Sequence, residues 1–132
     1  MATRQHTTNY PSSFIVVAED CPAHTGEAPP ERMPPTAARL EYDMVIRCPY
    51  RFTSDQVIYE ANGRAKGLSR EEFFGHGRPC LRSSALTKRY GWGVHSDAEG
   101  RIALYAVDSP EYARCAADPT LHQLHALRSH HV

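Results

Sequence analysis

The chain has 132 residues, 41% hydrophobic and 23% charged, and its 15 basic residues balance 15 acidic ones. That length can bury a core without disulfides or metal, and it predicts one domain. A formal net charge of zero argues against non-specific binding to nucleic acid or to an anionic membrane, both of which need excess positive charge.

No apolar run approaches the roughly 20 residues of a membrane span. Residues 1–9 lack the apolar core of a secretory signal. Cys21, Cys48, Cys80 and Cys115 lie far apart with no Cys-x-x-Cys. They read as free thiols of a cytoplasmic protein.

In chain order, residues 1–12 are polar and predict a flexible tail. Residues 13–18, Ser-Phe-Ile-Val-Val-Ala, are apolar and β-branched and predict a strand. Pro22, Pro29, Pro30, Pro34 and Pro35 then enforce an extended loop. Its acids are Glu19, Asp20, Glu27 and Glu31, and a loop so long is functional or mobile.

Thr36 is placed to cap a helix running to about Cys48, where Ala37, Leu40, Met44 and Cys48 recur at helical spacing. Pro49 stops it. Thr53-Ser54-Asp55-Gln56 and Ser69-Arg70-Glu71-Glu72 both match a capping box. The first helix ends near Gly67. The second is short, ends at Gly75 or Gly77, and carries Phe73 and Phe74 as core anchors.

Residues 90–95 and 102–107, joined by Ser96-Asp97-Ala98-Glu99-Gly100, predict a β-hairpin. Ser109-Pro110 and Asp118-Pro119 each start a helix, the second bearing Leu121, Leu124 and Leu127. The sum is an α+β fold. A small antiparallel sheet, made of the N-terminal strand and the hairpin, packs against about five helices over residues 13–128. Residues 129–132 form a C-terminal tail.

The run Leu86-Thr87-Lys88-Arg89-Tyr90-Gly91-Trp92-Gly93-Val94-His95 resembles an uncharacterised family of small bacterial proteins, a domain of unknown function. Phe14-Ile15-Val16-Val17-Ala18-Glu19-Asp20-Cys21-Pro22, Glu71-Glu72-Phe73-Phe74 and Pro79-Cys80-Leu81-Arg82 extend the resemblance, which spans roughly residues 13–128. It implies a bacterial, intracellular, single-domain protein and implies no activity.

Chemistry concentrates in residues 78–95. Arg78, Arg82, Lys88 and Arg89 fall there without one acid, beside Ser83, Ser84, Thr87 and the sole tryptophan, Trp92, between Gly91 and Gly93. Gly91 and Gly93 share a strand face with His95, and two missing side chains would leave a groove where a ligand meets backbone. Arg82, Lys88, Arg89 and the hydroxyls could grip an anion, with Tyr90, Trp92 or Tyr105 as a flat wall.

Candidate catalytic groups are His95 with Glu19 or Asp20 as an acid–base set, and Cys80 as a thiol nucleophile beside arginine, with His95 or His76 as its base. His122 and His125, at i and i+3 of the last predicted helix, with His130 and His131 beyond, are a weaker metal set that matches no zinc signature. Against these stands a purely structural use, in which the basic stretch pairs with the acidic loop at 19–31 and the glycines admit a bulky core side chain.

The sequence thus points to a small-molecule-binding protein, a cofactor-independent acid–base enzyme acting on a small polar anionic or carbonyl-bearing metabolite. The alternative is a non-catalytic binding or regulatory module, dimeric through the hairpin edge. Neither calls for a metal, a cofactor, a membrane or a nucleic acid.

Overall fold

A computed structural model describes residues 6–129. Strands β1 (Ser13–Val16), β2 (Trp92–Ser96), β3 (Ile102–Ala106) and β4 (His122–His125) form one sheet in the order β3-β2-β1-β4. Its helices are α1 (Ala37–Arg47), α2 (Ser54–Ile58), α3 (Arg70–Phe74), α4 (Ala85–Lys88) and α5 (Pro110–Ala116). The fold is α+β, as the sequence predicts.

The helix starts follow the sequence. Thr36 accepts from the Arg39 amide to cap α1. Thr53 and Ser69 complete the two capping boxes with Gln56 and Glu72. Past α2 the helical run widens into a π-turn at Tyr59–Gly63 and tightens into a 3-10 turn at Arg64–Lys66. Gly67 ends it in the left-handed region, at φ +76°.

The sheet and the C-terminal segment depart from expectation. The sheet is mixed rather than purely antiparallel, because β4 lies parallel to β1. The same finding removes the last predicted helix. Asp118 accepts from the backbone and hydroxyl of Thr120, a side-chain turn that competes with helix initiation. The chain then meets the free edge of β1, where the His122 amide donates to the Ser12 carbonyl and the Ala126 amide to that of Val16. Leu124 packs on the core beside Ile15 while Leu127 is exposed, so the leucines do not share a face.

Residues 6–12 are also bound rather than loose. Asp55, in the first turn of α2, accepts from the Thr7 hydroxyl and from the amide and hydroxyl of Thr8, which is buried. The His6 amide donates to the Phe74 carbonyl.

Strand alternation divides the sheet. Ile15, Trp92, Val94, Ile102 and Leu104 share the face that packs on Val45, Val57, Ile58, Phe73, Phe74 and Leu86 of the helical layer. Phe14, Gly93, His95 and Tyr105 lie on the other face. There α5 lays Tyr112 edge-on against Phe14, and the Tyr112 hydroxyl accepts from the Val17 amide.

This packing fills the glycine face. A Cβ on Gly93 would come within 2.5 Å of the Phe14 ring and 2.7 Å of the Tyr112 ring. Gly91 sits at φ +79°, and a Cβ there would strike the Thr25 carbonyl. The expected bare groove is therefore occupied by Phe14, Tyr112 and the proline-rich loop. That loop is strapped down through Trp92, whose indole donates to the Glu27 carbonyl at 2.8 Å, while the Glu27 amide donates to Tyr90.

Gly93→Ala tests this arrangement. Two aromatic rings must give way, so stability should fall by about 1–3 kcal/mol. Urea denaturation measures it, and an unchanged midpoint would contradict the packing.

Candidate functional site

The strongest chemical site lies in the helical layer. Helix α1 buries Ala38, Glu41 and Val45, spaced as one helical stripe. An acid thus occupies a core position, and Glu41 is only 5% exposed. A carboxyl there needs partners. Ser84 supplies one, its hydroxyl donating to Glu41 Oε1 at 2.7 Å while it accepts from the Leu86 amide to cap α4. The Asn62 side chain supplies another. Asn62 is carried by the π-turn and also donates to the Ile58 carbonyl. Such turns recur at functional sites.

Burial raises the Glu41 carboxyl from the ordinary 4.5 to about 7, and the bonds from Ser84 and Asn62 offset only part of that effect. Near neutral pH this group can therefore either give or take a proton.

Glu41 opens onto a cavity of about 600 Å³. Asn62 and Ser84 line it beside Glu41. Ile58, Leu68 and Phe73 form an apolar wall, and Lys66, Arg78, Cys80 and Ser83 complete the lining. Arg78 is fixed by its own packing. Its guanidinium carbon lies 4.2 Å over the Phe73 ring, and Nε donates to the Phe73 carbonyl.

The 78–95 stretch does not act as one surface. Arg78, Cys80, Ser83 and Ser84 reach the cavity. Arg82 turns away and donates to the His125 carbonyl at 2.7 Å, tying β4 to the body. Thr87 is fully buried and donates to Leu81 and Ser84 carbonyls, so it is a core hydroxyl. Lys88 is half-buried and Arg89 exposed, and neither lines the cavity. Tyr90, Gly91 and Trp92 hold the proline-rich loop, as described above. Cys80 is half-buried beside Tyr10, whose phenol it pushes up in pKa ahead of burial.

Nor does the acidic loop answer the basic stretch. Among the described residues Glu19 pairs with Arg128 and Glu31 with Arg39. Asp20 accepts from the Ser129 amide. Glu19 and Asp20 are thereby committed elsewhere, and the carboxylates that act on His95 are Asp97 and Asp118.

His95 belongs to a second polar centre on the opposite sheet face. The Tyr50 hydroxyl sits 2.7 Å from His95 Nδ1 and 2.7 Å from the Tyr105 hydroxyl. Burial lowers the His95 pKa, against the pull of the two aspartates. Burial first, then the Tyr105 contact, pushes the Tyr50 phenol above its ordinary range. Tyr50 adopts φ +61°, a strained position for a bulky residue. None of these three lines the 600 Å³ cavity.

The histidine metal set does not assemble. His122 and His125 stand on a strand, where a spacing of three puts them on opposite faces. His130 and His131 lie outside the described residues. Among those described, no group of three His, Cys, Asp or Glu side chains could hold a metal ion.

Glu41 and Asn62 escape the sequence reading because the stripe Ala37, Leu40, Met44 lies one position from the buried one. An acid at i+3 between Ala38 and Val45 is the signal that could have found the site.

With its native pKa above the unfolded value, Glu41 binds a proton that the unfolded chain has released. Its stabilising contribution is complete below about pH 4.5 and is lost as pH rises through about 7. Glu41→Gln should remove that slope and, above pH 7, raise stability by up to about 3 kcal/mol. Denaturation midpoints at pH 5 and 8 check this, and a variant as pH-sensitive as the wild type would refute it. Tyr50→Phe should cost about 1 kcal/mol in the same assay, since His95 and Tyr105 lose their shared partner.

A family model described as a family of unknown function (DUF6157) matches residues 5–132. Neither a curated protein nor a solved structure matches the chain.

Proposed function

The chain belongs to this family of unknown function, and we propose from its geometry that it is a small-molecule-binding, cofactor-independent acid–base enzyme working in the Glu41 cavity. One observation carries the proposal: a buried carboxyl poised near neutral pH faces a cavity of ligand size. In this assignment Glu41 replaces His95 as the proton-transfer group. Ser84 and Asn62 orient it. The substrate class remains a polar metabolite with an anionic or carbonyl group, since Lys66, Arg78, Ser83 and Thr36 give the cavity hydrogen-bond donors.

Acid–base chemistry at Glu41 asks for little else. Protonated, the carboxyl can donate to a carbonyl oxygen. Ionised, it can take a proton from carbon or from a hydroxyl. Ser84 serves both states, because its hydroxyl donates to Oε1 whether or not the acid is charged. A bacterial, cytoplasmic setting is part of the same proposal, supported by four unpaired thiols. No helix among the described residues is long and apolar enough to cross a membrane.

The test uses a panel of small carboxylic and carbonyl metabolites, thermal shift for binding, and NMR-detected deuterium uptake from solvent for proton transfer. Ligands should raise the melting temperature of the wild type but not of Ala85→Phe, whose ring would intrude into the cavity. Glu41→Gln should keep the thermal shift and slow deuterium uptake at least 100-fold. Uptake as fast as wild type would remove the acid–base role. Binding without uptake would reduce the protein to a non-catalytic module, and shifts retained in Ala85→Phe would move the site elsewhere.

A further inference from the structure

We propose that the ligand of this cavity is an amphipathic organic acid, with its carboxylate at the mouth between Lys66 and Arg78, an apolar body along Ile58 and Phe73, and a hydroxyl or carbonyl head at Glu41. This rests on the cavity being the functional site and names its substrate class.

The lining divides by exposure. Glu41 is 5% exposed, and Ile58 and Phe73 are as deeply buried. Lys66 is exposed and Arg78 half-exposed, which places both toward solvent. The lining therefore has an acid and an apolar wall in its buried part and two cations in its outer part.

The two cations lack carboxylates of their own. The ion pairs among the described residues engage Arg39, Arg64, Arg101, Arg114 and Arg128. Neither Lys66 nor Arg78 appears in them. Glu41 is the single acid in the lining, and its partners are Ser84 and Asn62 rather than a cation.

Arg78 is also built as a receptor. Stacking on Phe73 and the Nε bond to the Phe73 carbonyl fix the plane of the guanidinium. Its two terminal nitrogens have no partner among the described residues. A planar fork held this way suits a carboxylate, and ordering it costs little on binding because the side chain is already held.

The size fits as well. A volume of about 600 Å³ lies within the range of small-molecule sites and leaves room for a single ring or short chain with a polar group at each end.

Calorimetry with four probes tests the proposal: 4-hydroxyphenylacetate, its neutral amide 4-hydroxyphenylacetamide, phenylacetate without the head hydroxyl, and inorganic phosphate. The hydroxy acid should bind at least tenfold more tightly than the amide. It should also outcompete phenylacetate, and phosphate should not displace it. Lys66→Glu should weaken the hydroxy acid at least tenfold and leave the amide unchanged. Arg78→Lys keeps the charge but loses the fork, and should weaken the acid while the protein still folds. Equal binding of acid and amide, indifference to Lys66→Glu, or displacement by phosphate alone would overturn the proposal. So would failure of every acid to bind. Neutral ligands that bind in the wild type and not in Ala85→Phe would overturn this substrate class alone. The cavity would then stand as the site.

Discussion

The hydrogen bond from Ser84 to Glu41 is the constraint around which the helical layer is arranged. A buried carboxyl costs several kcal/mol unless it is neutral or well bonded. Here it is partly both. Ser84 serves the acid and caps α4 with the same oxygen, so the start of α4 is fixed relative to α1. The short turns at 81–88 therefore pack where α1 needs a donor, and Arg78, Cys80 and Ser83 come to the cavity with them. Replacing Glu41 by an apolar residue would remove the need for that tie. An acid at this position is a local cost to the fold of the kind that marks candidate functional sites.

The sheet separates two polar centres. On the helical side lies Glu41. On the α5 side lies the chain His95–Tyr50–Tyr105, closed by short hydrogen bonds. His95 is a half-buried imidazole already engaged at Nδ1, and its pKa is lowered, so it is mostly neutral at neutral pH. It works as a partner for Tyr50 and helps hold the 50–53 turn, whose backbone also bonds Ile102. The separation explains why the residues from 78 to 95 split into different tasks. They cross from one layer to the other as they enter β2.

Much of the fold was legible because its signals are local. The caps at Thr36, Thr53, Ser69 and Ser109 each bond the amide their spacing predicts. The hairpin follows from alternation and a turn. The last segment was not legible, since Asp118-Pro119 starts a helix or a turn with equal ease. The free edge of β1, 109 residues away in sequence, decides between them. Residues 6–12 looked loose for a similar reason. They carry no periodicity, yet Asp55 binds them.

The site was legible only in part. Charge and glycine drew attention to residues 78–95, and six of the cavity's residues do come from there. Gly93, however, is small so that Phe14 and Tyr112 can meet, and Gly91 so that Thr25 can approach. A glycine records that something is close to the backbone and does not say whether it is ligand or protein. An acid inside an apolar helical stripe is a different kind of signal. Glycine can be retained for packing alone, but a lone buried acid weakens the packing around it, and its burial is also what brings its pKa to the range where proton transfer at neutral pH is possible. Where the two signals compete in one small domain, the buried acid has the stronger claim to the chemistry.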